Sequence, residues 1–368
     1  MSTKKDKFTN KDHYFMSLAL QLANERVGLT GVNPSVGCVI VKNNKIISIG
    51  KTGFNGSPHA EYNAIKSSKK NLRDSKMYVT LEPCNHYGQT PPCTNQIINK
   101  KIKEVYYSIN DIDKRVQGKT SKILKSKNII VKKGLLKNEI TNLYEPYMFS
   151  KKNKIPYVTG KIAISKNNLI YSKNKKKITD IHSDKFTHNL RYKNDSIMIS
   201  YKTLNNDNPK LNCRIKHLEK FSPRRIVLDN NLDTKTSSYI FKTANKKNTI
   251  IFYRNADKKK ITLFKKKGIQ LIKSSLNKNK YFDINLILKK LYLLKCRNLL
   301  VESGNELSQS FFKNKLFNQF YLFKSPKKLS KLVIYKEFDS FKYLYQNYKS
   351  KLKISNKIGK DSIYLYKK

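Results

Sequence analysis

His59-Ala60-Glu61, Pro83-Cys84 and Cys93, nine residues beyond Cys84, are the residue types and spacings in this 368-residue chain that could do chemistry. One imidazole and two thiolates are three ligands of a tetrahedral zinc that keeps its fourth position open, and such a metal lowers the pKa of a water to about 7. Glu61 stands two residues from His59 at the start of the same helix. There it can move a proton from water to a departing amine without ligating the metal, the logic of zinc-assisted deamination of a nucleobase-like ring. A lone His-x-Glu is common by chance and two cysteines can be ordinary core residues. The signal lies in their combination with a Pro-Cys step that directly follows a strand. Cys38, inside an apolar strand, reads as core, and Cys213 and Cys296 lack nearby ligand partners and read as structural. His86 lies in a polar loop and reads as a substrate or loop-structuring residue. His13, His182, His188 and His217 have no companion groups and read as surface or capping histidines.

The elements that must position these residues follow from periodicity. Thr9 and Asp12 resemble a capping box, and Phe15, Leu18, Ala19, Leu22 and Ala23 recur at helical spacing behind them. Val36 to Val41 reads as a buried strand, Asn43-Asn44 as a tight turn and Ile46 to Ile49 as the hairpin partner. A helix over His59 to Lys66, a strand over Met77 to Leu81, a helix after Thr94 and strands at Val105 to Ile109 and Ile129 to Val131 complete a small α/β pattern with mixed strand directions. The polar SKKNKI segment at 150–155 marks a boundary, giving domains 1–150 and 151–368. Strands are expected beyond it at Tyr157 to Ile164, Ser196 to Ser200, Arg225 to Leu228, Ile250 to Tyr253, Gln270 to Ile272 and Asn298 to Val301. Helices are expected over Ile284 to Leu294 and just after Gly304, so the second domain is also α/β.

Charge restricts the function classes less than it first suggests. Lys and Arg number 77 against 25 Asp and Glu, a formal net charge of +52. Such a surface attracts nucleic-acid phosphates. Only nine of the 77 are Arg, however, and Arg is the side chain suited to forked phosphate and guanine contacts. Lysine is spread over the whole length alongside abundant Asn and Ile with no Trp, which reads as compositional drift toward A/T-rich codons and disfavours a nucleic-acid partner. No apolar stretch approaches the roughly 18 residues of a membrane span, and MSTKKDKFTNKDHYF lacks the apolar core of a secretion signal, so a cytoplasmic protein with no membrane partner is expected. An odd number of scattered cysteines fits reduced thiols or metal ligation.

The segments Asn33-Pro34-x-Val36-Gly37-Cys38-Val39-Ile40-Val41, His59-Ala60-Glu61 and Thr80-Leu81-Glu82-Pro83-Cys84-Asn85-His86-x-Gly88-x-Thr90-Pro91-Pro92-Cys93 closely resemble the bifunctional riboflavin-biosynthesis deaminase–reductase family. The eight residues between the cysteines separate this pattern from the Cys-x-x-Cys of nucleic-acid and nucleoside deaminases. The resemblance covers nearly the whole chain. It implies an N-terminal cytidine-deaminase-like three-layer α/β/α domain that deaminates a diaminopyrimidinone ribosylamino phosphate, and a C-terminal dihydrofolate-reductase-like α/β domain that uses NADPH to reduce the ribosyl group of the product to ribityl. Carried over residue by residue, it makes His59, Cys84 and Cys93 the zinc ligands and Glu61 the proton shuttle, with Asn33 near the substrate. In the second domain it implies substrate contacts at Lys161, Arg191, Leu211, Arg214 and Glu302 and NADPH contacts at Ala163, Thr203, Asp207, Asn230 and the helix start at Gly304. Arg191 and Arg214 would suit the phosphate, and Glu302 the substrate hydroxyls. The implied partners are small phosphorylated pyrimidines and further copies of the same chain.

Departures from the family pattern concentrate in the second half. The usual Ser-Leu-Asp-Gly is Ser165-Lys166-Asn167-Asn168, and Lys175 and Lys177 occupy substrate and cofactor positions. In the first half Gln89 replaces a basic residue, Thr52 a histidine, and Ile112 and Lys114 prolines. Two alternatives follow from these and from the charge: a nucleic-acid-binding or editing zinc deaminase, and an active deaminase joined to a degenerate reductase domain.

Overall fold

The computed structural model describes residues 8–88, 91–172, 178–277, 281–302, 304–329, 335–354 and 359–368. The chain divides into two compact units, Met1–Asn153 and Lys154–Lys368. The first contains α1 (Asn10–Asn24), β1 (Gly37–Lys42), β2 (Lys45–Lys51), α2 (Ala60–Ser67), β3 (Lys76–Leu81), α3 (Cys93–Asn99), β4 (Glu104–Ile109), α4 (Thr120–Lys125), β5 (Ile130–Lys133) and α5 (Lys137–Asn153). Helix α5 explains why the unit ends at Asn153: the polar stretch at 150–153 stays helical instead of forming a linker.

Local chemistry starts and stops these elements. Thr9 and Asp12 form the reciprocal capping box at α1, and Asp12 also accepts the Tyr78 hydroxyl at 2.6 Å, pinning the helix to β3. Asn43 and Asn44 both take positive φ, the geometry of a tight hairpin turn between β1 and β2. The strands lie in the order β2-β1-β3-β4-β5, with β1 antiparallel to both neighbours and β3, β4 and β5 parallel. The core gathers Met16 and Ala19 of α1, Ala60 and Ala64 of α2, and Val39, Val79, Val105 and Tyr107 of the sheet.

The second unit contains β6 (Tyr157–Ile164), β7 (Leu169–Ser172), α6 (Ile181–Lys193), β8 (Ser196–Ser200), α7 (Tyr201–Asp207), β9 (Arg224–Leu228), α8 (Tyr239–Lys242), β10 (Thr249–Tyr253), α9 (Lys258–Lys266), β11 (Gln270–Lys273), α10 (Ile284–Leu293), β12 (Asn298–Glu302), α11 (Asn305–Lys313), β13 (Gln319–Lys324), β14 (Tyr335–Glu337), α12 (Phe341–Asn347), β15 (Ser350–Ile354) and β16 (Ser362–Lys367). Nine strands form one sheet in the order β11-β10-β9-β8-β12-β6-β13-β16-β15, parallel up to β13 and antiparallel at its last two members. A separate antiparallel pair joins β7 and β14. Strands β12 and β6 are adjacent and central, so Glu302 lies opposite Lys161 in the register. Ligand crevices are expected at the carboxyl ends of such parallel strands. Among the described residues no helix is long and apolar enough to cross a membrane.

Two glycines set how closely helices approach the first sheet. A Cβ on Gly37 would lie 1.9 Å from the Ala19 carbonyl oxygen of α1, and one on Gly50 would lie 2.1 Å from the Ala60 oxygen and 2.4 Å from the Ala64 nitrogen of α2. Ala60 and Ala64, four residues apart on one helix face, complete the close contact. Helix α2 therefore sits directly on the β2 backbone. Overpacking of this kind costs about 1–3 kcal/mol, so Gly50→Ala should lose that much in denaturant unfolding. Because α2 begins beside His59, the variant should also hold less zinc per chain by elemental analysis, whereas an exposed substitution such as Lys45→Ala should change neither.

Candidate active site

His59 is the N-cap residue of α2 and makes no side-chain cap bond; its ring turns toward two thiols instead. Cys84 follows β3 and Cys93 opens α3, whose backbone N–H donates to the Cys84 sulfur at 3.3 Å. His59 Nδ1 lies 3.4 Å from each cysteine sulfur, and all three ligand atoms fall within 4.8 Å of one another. Zinc bonds of about 2.0–2.3 Å at tetrahedral angles separate neighbouring ligand atoms by about 3.5–3.8 Å. The donor set and its spacing therefore fit zinc. No other such cluster occurs among the described residues.

Without metal the trio divides its protons unevenly, with Cys84 the group most readily ionised. The hydrogen bond with Cys93 pulls the Cys84 thiol down to about 4, with His59 adding to the effect, and the same sulfur contact together with burial pushes Cys93 up. Hydrogen bonding to Cys84 raises His59 to about 9. The three groups thus share protons that an incoming metal displaces. Glu61, in the first turn of α2, is 4% exposed, and burial pushes its carboxyl up to about 7 against the opposing pull of His59.

A cavity of about 120 Å³ joins these groups to Asn33, Thr52, His86 and Asp111. Asn33 is held by donating its amide to the Gly56 carbonyl at 3.0 Å, and Thr52 accepts the Val36 N–H at 2.9 Å, so the residue that departs from the family's histidine is built into the wall. His86 has a buried Nδ1 with no hydrogen-bond partner among the described residues, which fits the substrate role better than the loop-structuring one. Glu82 plays the structural part. Its carboxylate accepts backbone N–H bonds from Asp111 (3.3 Å), Gly118 (3.0 Å) and Thr120 (3.2 Å), while Thr120 donates its hydroxyl to the Pro83 carbonyl at 2.7 Å. One buried acid thereby fixes the loop after β4 beside the metal ligands. Spacing alone gives no sign of this; a Glu ending a buried strand is the only cue. Asp111, Asp113, Arg115, Tyr147 and Lys151 also line the cavity and carry no motif.

In the second unit Lys161, Ala163, Thr203, Asp207, Glu302 and Gly304 line one cavity of about 210 Å³, together with Lys336. Asn230 lines a neighbouring one of about 280 Å³ with Tyr281, Phe282 and Leu307. Arg191 reaches the first cavity through Glu302, to which it donates from Nε at 2.7 Å and Nη2 at 2.8 Å. The nearby Arg191 charge and these hydrogen bonds hold Glu302 low despite its burial, whereas burial lowers Lys161, whose ammonium lies 4.8 Å from the Phe323 ring centre. Arg214 is exposed, and its guanidinium donates to Asn212 Oδ1 at 3.0 Å. Leu211 has its side chain in the core, leaving its backbone, at φ 52°, for any ligand contact. His188 differs from expectation. It is buried, accepts the Arg214 N–H at 3.3 Å, and is pushed down to about 4 by burial with Arg191 and Arg214 alongside.

The family's glycine position is served by Asn168 at φ 62°, a conformation that asparagine tolerates, and Ser165 donates to Asn167 at 2.8 Å. Cys38, Cys213 and Cys296 are buried free thiols. Gln89, Lys175 and Lys177 lie outside the described residues.

Residues 9–109 match the cytidine and deoxycytidylate deaminase zinc-binding region, and residues 156–361 match the RibD C-terminal domain. The riboflavin biosynthesis protein RibD of Actinobacillus pleuropneumoniae is 33% identical over 364 residues, 97% of this chain and 96% of that one. Among solved structures, Acinetobacter baumannii RibD superposes with a TM-score of 0.82 at 25% identity, covering 97% of this chain and 98% of its own. The Thermotoga maritima diaminohydroxyphosphoribosylaminopyrimidine deaminase/5-amino-6-(5-phosphoribosylamino)uracil reductase does so at 0.77 and 26%, with the same coverage. With both halves matched in order and along nearly their whole length, the chain belongs to the RibD family of riboflavin-biosynthesis proteins.

Proposed function

We propose that this chain carries out two consecutive steps of riboflavin synthesis: zinc-dependent deamination of a diaminopyrimidinone ribosylamino phosphate, then NADPH-dependent reduction of the ribosyl group of the resulting uracil derivative to ribityl. The observation that carries the first step is the convergence of His59, Cys84 and Cys93 beside a buried Glu61. Zinc bound there supplies a Lewis acid and lowers the pKa of a water to about 7. Glu61 does the proton work. A carboxyl that titrates near neutrality accepts a proton from the attacking water and returns it to the amino nitrogen as ammonia leaves, so water and the amino group exchange for a carbonyl and ammonia. Asn33 and His86 present fixed polar atoms to the ring.

For the second step NADPH supplies the hydride. Lys161 and Glu302 face each other across paired strands, one a donor and the other an acceptor for sugar oxygens. Arg191 orients Glu302 and is a positioning residue, so the outward Arg214 is the freer of the two guanidiniums for the phosphate. The N-terminus of α11 after Gly304 suits the cofactor's pyrophosphate, and Thr203 and Asp207 line the same cavity as further NADPH contacts. An editing deaminase acting on nucleic acid is not favoured, because residues 156–361 match a reductase domain. Five free thiols suit a reducing cytoplasm, and the family resemblance supports a homo-oligomer.

Zinc-loaded protein incubated with the diamino substrate should yield the deaminated product by mass spectrometry, and adding NADPH should convert it to the ribityl compound; no deaminated product would sink the reading. Glu61→Gln should keep about one zinc per chain yet lose about 100-fold or more in deamination, the usual worth of a positioned acid–base group. Removing one partner of a buried pair costs about 3–5 kcal/mol. Arg191→Met should therefore destabilise the second unit in denaturant unfolding and abolish NADPH oxidation, while deamination measured on the same sample survives.

A further inference from the structure

Two cations line the cavity that holds His59 and Glu61: Arg115, from the loop after β4, and Lys151, from the last turn of α5. Among the described residues no other Lys or Arg lines it. Both converge on one carboxylate. Arg115 donates to Asp113 from Nε at 3.0 Å and from Nη2 at 2.7 Å, and Lys151 donates to Asp113 Oδ2 at 2.7 Å and to the Tyr147 hydroxyl at 3.2 Å. Tyr147 in turn donates to Asp111 Oδ1 at 3.0 Å, so the ammonium is fixed from two sides.

Arg115 and then Lys151 hold the Asp113 carboxyl well below the usual carboxylate range, so it is ionised wherever the enzyme works. Asp111 lines the same cavity, so the two cations face two carboxylates there, and what the cluster offers a ligand is unused donors. A guanidinium carries five N–H groups and an ammonium three, and each uses two here. Glu82 does not compete for them, being satisfied by three backbone N–H groups. Two cationic heads held in place with unused donors are the arrangement that recognises a phosphate, with the side-chain ordering already met in the free protein.

We propose that Arg115 and Lys151, aligned by Asp113, anchor the phosphate of the deaminase substrate. The proposal rests on the deaminase reading above and names the residues that select a phosphorylated ligand at that site.

Calorimetric titration of full-length, zinc-loaded Glu61→Gln protein with the diaminopyrimidinone ribosylamino phosphate and with its dephosphorylated form measures affinity without turnover. The phosphorylated form should bind about ten-fold or more tighter, and Lys151→Met or Arg115→Ala should each remove about ten-fold while leaving the dephosphorylated form unaffected. In the active enzyme the same changes should raise KM with kcat held within about three-fold. Asp113→Asn separates anchoring from a merely structural ion pair, since it removes the carboxylate to which both cations donate. In that background Lys151→Met should still weaken the phosphorylated ligand by about ten-fold. Equal affinity with and without Lys151 there, or equal affinity of the parent for both ligand forms, overturns the anchor. If wild-type enzyme turns over the substrate while those negative results hold, only the anchor falls. A phosphate preference in a protein that never deaminates would leave the anchor standing and sink the deaminase reading.

Discussion

Three ligand atoms from three separate elements must lie within 4.8 Å of one another, and the first unit is arranged to enforce that distance. Helix α2 brings His59 because Gly50 lets it rest on the β2 backbone. Cys84 is fixed by the strand before it and by the acid Glu82, whose three N–H bonds hold the β4 loop against the Pro-Cys turn. Farther in, the Tyr144 hydroxyl meets Thr80 at 2.6 Å and donates to the Ser35 carbonyl at 2.9 Å, while Thr80 accepts the Gly37 N–H at 3.1 Å. That buried network ties α5, β3 and the start of β1 together. Its polar atoms are paired, so it specifies one register without leaving a costly orphan. Metal affinity in such a site is a property of the whole unit, because a shift of an ångström in α2 would open the triangle.

The second unit solves a different problem. The Glu302 side chain is 14% exposed, and a carboxylate so far withdrawn from water would, if isolated, be expensive or would take up a proton. The fork of Arg191 keeps it ionised across 111 positions of sequence. Lys161, opposite on the neighbouring strand, adds a second positive charge nearby. The acid can then accept from sugar hydroxyls in a fixed geometry. The consequence is a division of labour between two arginines that look equivalent in sequence: one is committed inside, the other faces outward.

What could be read from the sequence was what is encoded locally. His59, Glu61, Cys84 and Cys93 stand at helix starts and a strand end with fixed spacing, and strands such as Tyr157–Ile164 and Ser196–Ser200 announce themselves by their share of apolar and β-branched residues. The long α5 gave no such announcement, since Pro146 interrupts it and its last turn is lysine-rich. Strands β15 and β16 were equally silent, because β15 is an exposed edge in which lysine alternates with other residues. The Asp113, Arg115 and Lys151 cluster and the Arg191–Glu302 pair could not be inferred at all. Their partners are brought together by topology, and no spacing rule connects a loop to a helix end 38 residues away.

The charge excess is best judged by where arginine was kept. Of nine arginines, Arg191 and Arg115 each grip a carboxylate with two nitrogens, and Arg225 is buried with bonds to Thr243, Asn248 and Thr249. Arg224 and Arg297 each bind backbone carbonyls, and Arg297 and Arg26 also lie over aromatic rings, at 3.8 and 3.9 Å. Gripping a carboxylate with two nitrogens at once needs the planar fork, which an ammonium does not have. Where a point charge suffices the chain carries lysine, and lysine lies along its whole length. Pressure toward lysine codons would replace arginine wherever the two are interchangeable and stop where geometry matters. The arginines that make these contacts therefore mark positions at which the fold or a site demands the fork, and Arg115 does so while exposed on a cavity wall.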